Sequence, residues 1–149
     1  MRQLLLLAAA VGLWSPALAA QQRHTITHED VFLMKRVGSP AISPDSRWIA
    51  FSVTEPSYAE GEQVSDLWLV PTDGGAEPRR LTYTKAGEGG VAWSPDSRRI
   101  AFSAQREGDS ASQIYVLDLV GGGEAQRVTS IATGATNPLW RPDERALLF

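Results

Sequence analysis

Three ten-residue segments of this chain align without a gap, and that recurrence limits the architecture more than any other feature. They are Ile42-Ser43-Pro44-Asp45-Ser46-Arg47-Trp48-Ile49-Ala50-Phe51, Trp93-Ser94-Pro95-Asp96-Ser97-Arg98-Arg99-Ile100-Ala101-Phe102 and Trp140-Arg141-Pro142-Asp143-Glu144-Arg145-Ala146-Leu147-Leu148-Phe149. Pro, Asp, Arg and Phe keep their offsets in all three, Pro95 lying 51 residues after Pro44 and Pro142 47 residues after Pro95. A second pattern repeats at 47. Asp66-Leu67-Trp68-Leu69-Val70 leads through Gly74-Gly75 to Arg80-Leu81-Thr82, and Gln113-Ile114-Tyr115-Val116-Leu117 leads through Gly121-Gly122-Gly123 to Arg127-Val128-Thr129. The extra residues of the first repeat therefore fall in its loop from Thr54 to Ser65.

Each element of the pattern has a backbone cause. Proline presets φ for the second position of a turn, and an aspartate after it can bond its own backbone. The pairs Pro44 and Asp45, Pro95 and Asp96, and Pro142 and Asp143 are thus read as structural turn residues joining two strands. The run after each turn is a strand without charge on either side, Ile49, Phe51 and Val53 alternating with Trp48, Ala50 and Ser52, which suits burial on both faces. Aliphatic and aromatic runs at Leu67–Val70 and Ile114–Leu117 give a third strand per repeat, and Arg80–Thr82 and Arg127–Thr129 a fourth. Four short antiparallel strands recurring every 40 to 50 residues or so describe β-propeller blades. An all-β sandwich would show turns and alternation without the same residues returning at a fixed period. The predicted fold class is therefore all-β: two blades and the start of a third over residues 40–149, preceded by a linker with a short helix over 20–39.

Ahead of the blades, Met1-Arg2-Gln3 opens on a positive charge, Leu4–Trp14 is apolar, and Ala17-Leu18-Ala19 is a small-x-small cleavage signature. Residues 1–19 read as a secretory signal peptide cut after Ala19, its apolar run too short for a stable membrane span. That predicts a periplasmic or secreted chain. Thr27 is placed to cap a two-turn helix, with Glu29 and Asp30 at its positive end, Lys35 and Arg36 at its negative end and Gly38 to close it.

Composition excludes several functions. With 14 Lys and Arg against 17 Asp and Glu there is no basic excess for nucleic acid, and with no cysteine there is neither disulfide nor thiolate metal site. No cofactor and no metal is expected. One aspartate per turn supplies too few oxygens for calcium. Gly108-Asp109-Ser110-Ala111-Ser112 comes nearest to a G-x-S-x-G nucleophile elbow but ends in serine within a polar hairpin loop. His24 and His28 lack a strand to hold them beside a serine, and the glycines at 87–90 and 121–123 lack the lysine and helix of a phosphate loop. Trp48, Trp68, Trp93 and Trp140 recur at blade positions and read as packing between blades. The loop from Thr54 to Ser65, with Glu55, Glu60 and Glu62, reads as solvated, the alternative being that it faces a substrate's amino terminus. No catalytic residue is expected in these 149 residues, and the substrate-binding residues are unassigned.

The leader, the helix running into Lys35-Arg36-Val37-Gly38-Ser39-Pro40, and the first repeat together resemble the amino-terminal propeller of prolyl oligopeptidase-type serine peptidases. The acylaminoacyl-peptidase and dipeptidyl-peptidase-like branch is the nearest. The resemblance implies a secreted parent hydrolase in which the blades gate short peptide substrates for a downstream α/β-hydrolase domain, with that domain and the remaining blades as partners in cis. The chain is accordingly read as the front piece of a longer protein, its broken third blade expected to make residues 20–149 aggregate when alone. The alternative is a non-catalytic periplasmic propeller of the Tol-system type, which binds a partner protein; that type implies a sizeable α/β domain ahead of the propeller, where only about 20 residues separate leader and blade here. The family's usual glycine at the fourth turn position is replaced by Ser46, Ser97 and Glu144, at a cost on the order of 1 kcal/mol each if that position is left-handed.

Overall fold

A computed structural model describes residues 25–59, 63–85 and 87–149. The predicted leader, His24, Glu60 and Glu62 lie outside the described residues. The first sheet is built from β1 (Arg36–Val37), β2 (Ala41–Ile42), β3 (Trp48–Glu55), β4 (Val64–Pro71) and β5 (Arg79–Arg80); β1 and β2 both pair with β3, then β4 and β5 follow outward. The second is β6 (Glu88–Trp93), β7 (Arg99–Ala104), β8 (Gln113–Asp118) and β9 (Gln126–Arg127), in sequence order and antiparallel throughout. β10 (Leu139–Trp140) and β11 (Leu147–Leu148) form the hairpin that opens the third sheet. These are propeller blades of four strands, as the repeat predicts.

The turn motif builds the hairpins by one recurring set of bonds. The Ser46 amide donates to Ser43 O (2.8 Å), the Asp45 carboxylate accepts from the Arg47 amide (3.1 Å) and the Ser43 hydroxyl (2.5 Å), and Ser43 Oγ accepts from the Trp48 amide (3.0 Å). Ser94, Asp96, Arg98 and Arg99 repeat all of this in the second blade. In the third, Arg141 replaces the serine, and its guanidinium grips the Asp143 carboxylate while Arg145 N–H donates to it. Ser46, Ser97 and Glu144 sit at φ 59°, 60° and 61°, the left-handed conformation that glycine would adopt without strain.

Several local expectations are corrected. The helix, α1, covers only His28–Phe32, with Thr27 and Asp30 forming a capping box. Lys35 and Arg36 do not complement its end: Lys35 pairs with Glu55 at 2.6 Å and Arg36 lies in β1 opposite Thr54. Strand pairing to β3 satisfies more backbone than a second solvent-exposed helical turn would, so tertiary contact overrides the capping signals. Gly38 does not close the helix either; its N–H donates to Ser52 O, and a Cβ there would collide with Ser52 Oγ. The first blade's inner strand is split, because Pro40 has no N–H to give to β3. The segment from Thr54 to Ser65 is shorter as a loop than expected: Thr54 pairs with Ser65 and Glu55 with Val64. The fourth strands each end two residues early because Thr82 and Thr129 turn their hydroxyls, not their backbones, to the third strand, accepting from the amides of Leu67 (2.9 Å) and Ile114 (2.8 Å).

The main core lies between the first two sheets, where Ala50, Leu67, Leu69, Ile100, Phe102 and Ala104 are buried together. A smaller one, built on Ala101, Ile114 and Ala135, joins the second sheet to the third hairpin. At each seam an indole bridges the inner strands. Trp93 Nε1 donates to Ala41 O at 2.9 Å and Trp140 Nε1 to Ala92 O at 3.2 Å. The fourth turn position bridges as well: Ser97 Oγ accepts from the Asp45 amide (3.0 Å), and Glu144 takes Arg99 at 2.8 Å, with the guanidinium also over the Trp140 ring. The recurring tryptophans at these two positions thus pack between blades.

Candidate functional site

The blades have two ends. One carries the proline turns with Pro44, Asp45, Pro95, Asp96, Pro142 and Asp143. The other carries α1, residues 56–59 after β3, residues 83–85 and the loop 105–112. At the turn end hydrogen bonds hold the carboxyls low: Ser43 is the main cause at Asp45, Ser94 at Asp96 and Arg141 at Asp143. Each aspartate is committed to its own turn. Among the described residues no group of three or more His, Cys, Asp or Glu side chains is arranged to hold a metal ion.

The opposite rim concentrates buried charge. Asp66, buried at the inner part of β4, accepts from the Arg80 guanidinium and from the Thr84 amide (3.3 Å), while Arg80 lies over the Tyr83 ring. Forty-seven residues on, Gln113 replaces Asp66 and keeps its structural task, Oε1 accepting from the Ile131 amide at 3.0 Å. Glutamine cannot neutralise the equivalent arginine. Arg127 therefore turns to Asp109, at 2.6 Å, whose other oxygen accepts from Tyr115 Oη (2.6 Å) and the Arg106 amide (3.1 Å). The Tyr115 bond and Arg127 hold the Asp109 carboxyl below its usual range, and burial, then that same bond, pushes the Tyr115 phenol up. Arg106 stacks on Tyr115 and reaches Glu88, which is wholly buried and also takes the Thr84 hydroxyl at 3.1 Å.

Thr84, Lys85, Arg106 and Asp109 wall a cleft of about 750 Å³ at this rim. Its Arg106 and Asp109 charges are paired within the second blade, with Glu88 and Arg127. Ser110 lies in the loop between β7 and β8, and His28, in α1, stacks on Phe32 with ring centroids 6.5 Å apart. The structure brings neither into a nucleophile–base pair. Glu55 is engaged by Lys35. The rim cluster of Glu88, Arg106, Asp109, Tyr115 and Arg127 was not singled out from sequence; its one signal was Arg80 and Arg127 recurring two residues before a threonine.

Comparison with known proteins matches these features. Dipeptidyl-peptidase 5 of Porphyromonas gingivalis is 28% identical over 88 residues, 59% of this chain but 13% of that protein, so the chain spans a small part of this curated relative. Among solved structures, acylaminoacyl peptidase of Pyrococcus horikoshii superposes with TM-score 0.60 at 20% identity over 78% of this chain and 17% of that one. TolB of Acinetobacter baumannii gives 0.58 at 21% over 74% and 25%. At such identities the two structures speak for the fold alone. A sequence model of one family covers residues 12–149, taking in both complete blades and the third hairpin. With that span matched and its repeat realised in the sheets, the chain belongs to the TolB beta propeller domain family.

Proposed function

We propose that the chain is the leading propeller segment of a secreted serine peptidase, its blades filtering short peptides for an α/β-hydrolase domain encoded beyond Phe149. The observation that carries this reading is the sequence likeness to dipeptidyl-peptidase 5, the blades here aligning with a fraction of a much longer protein. The rim cluster fits the role: loop 105–112 is anchored through the pairs of Arg106 with Glu88 and of Asp109 with Arg127, and presents an edge on which a second domain would rest. Peptide entry would then depend on blade geometry rather than on a reactive group in these residues. In this reading Ala19 ends a cleaved leader and the mature protein is periplasmic or extracellular.

The test is to recover the native protein with an antibody against residues 25–149, determine its mass and amino terminus, and treat it with a fluorophosphonate serine probe. A species several times larger than this chain, starting at residue 20 and labelled by the probe, is expected. An unlabelled product made of propeller repeats alone overturns the peptidase reading. That outcome would favour the second reading, a partner-binding propeller, which the family match supports.

A further inference from the structure

The rim of the second blade holds two hydrogen-bonding atoms that the protein itself does not satisfy. Glu88 and Arg106 are joined once, Arg106 Nη2 donating to Glu88 Oε1 at 2.7 Å, and the Thr84 hydroxyl donates to that same oxygen at 3.1 Å. Glu88 Oε2 and Arg106 Nε are both buried, and neither has a hydrogen-bond partner among the described residues. One is a bare acceptor and the other a bare donor. They belong to a carboxylate and a guanidinium already in contact, so one small molecule can span them. A buried polar atom left unpaired forfeits the hydrogen bond that water gave it in the unfolded chain, which supplies the driving force for occupying both.

The chemistry of these two atoms selects the occupant. A cation at Glu88 Oε2 would face the Arg106 N–H, and an anion at Arg106 Nε would face the Glu88 carboxylate, so an ion suits only one of the pair. The neighbouring charges balance pair by pair, Asp66 with Arg80 and Asp109 with Arg127, and add no field to draw an ion in. Both atoms are covered, and the Arg106 guanidinium packs over the Tyr115 ring at 4.5 Å and near that of Phe102 at 5.6 Å, which keeps out a group the size of a substrate. The occupant is therefore small, neutral, and both donor and acceptor. We propose that one internal water molecule is bound here, donating to Glu88 Oε2 and accepting from Arg106 Nε–H. It completes the tie between Glu88, where the second blade begins, and Arg106, in the loop between β7 and β8. Both residues lie within that complete blade, so the inference is independent of the peptidase reading.

The test is a crystal structure of the native protein, expressed from its complete reading frame, at a resolution that shows ordered water. A second crystal grown in bromide, with anomalous data, reports any anion at the same place. The expected result is a single peak about 2.7–3.2 Å from both Glu88 Oε2 and Arg106 Nε, without anomalous signal, the bond from Arg106 Nη2 to Glu88 Oε1 being retained. A fork closed directly, with Arg106 Nε donating to Glu88 Oε2 and nothing between them, overturns the proposal. So does a bromide peak, a peak too close to Oε2 to be water, as a bound cation would give, or a gap between the two atoms without density.

Discussion

Replacing each left-handed turn residue by glycine separates backbone strain from inter-blade bonding. Ser46, Ser97 and Glu144 share φ within a few degrees, so relief of the left-handed penalty, about 1 kcal/mol, is common to all three. Part of that gain is lost again to the greater freedom of glycine in the unfolded chain, leaving a net of about 0.5 kcal/mol. At Ser46 nothing opposes it: the Thr72 hydroxyl bonds the Ser46 main-chain carbonyl, which glycine keeps. At Ser97 the substitution also deletes the acceptor for the Asp45 amide, a bond worth about 1 kcal/mol. At Glu144 it deletes the partly exposed pair with Arg99, worth up to about 1 kcal/mol. Ser46→Gly should therefore raise the urea midpoint by roughly 0.3 M at a slope near 2 kcal/mol/M. Ser97→Gly and Glu144→Gly should leave it unchanged or lower it. Unfolding is followed by tryptophan fluorescence below about 1 μM. Equal gains at all three sites would show that the bridging side chains contribute nothing, and a loss at Ser46 would refute the strain argument.

Three further outcomes are expected. Trp93→Phe removes the indole N–H that donates to Ala41 O and should cost about 1–2 kcal/mol in the same urea assay, more than Trp140→Phe, whose bond is longer and whose ring is less covered. Glu88→Ala leaves Arg106 facing Tyr115 without its carboxylate and should destabilise by about 3 kcal/mol; a change under about 1 kcal/mol would show that the pair is not held as the structure has it. Asp45, Asp96, Asp109 and Asp143 all have carboxyls below their usual range when folded, so their contribution is intact above about pH 4 and lost as pH falls through the folded values. Tyr115 is shifted the other way, so its contribution is intact below pH 10 and lost as pH rises past it. The urea midpoint should be flat between about pH 5 and 9 and fall on both sides, and Tyr115→Phe should flatten the alkaline limb.

The strand order within a blade and the turn positions were legible in the chain because each is written in local chemistry. A proline, an aspartate and a serine two residues earlier suffice to close a hairpin whatever surrounds it, and a recurring register implies recurring sheets. Tertiary structure decided what local signals left open. Arg36 carries helix-end chemistry, yet β3 offered it a partner in Thr54, and pairing prevailed over capping. Arg127 faces Asp109 because Gln113 stands where the earlier blade has aspartate, a compensation visible only once strands 47 residues apart are superposed. The bridges from Trp93, Ser97, Trp140 and Glu144 likewise depend on one sheet lying against the next, a relation fixed by packing of whole faces and not by any residue's neighbours in sequence.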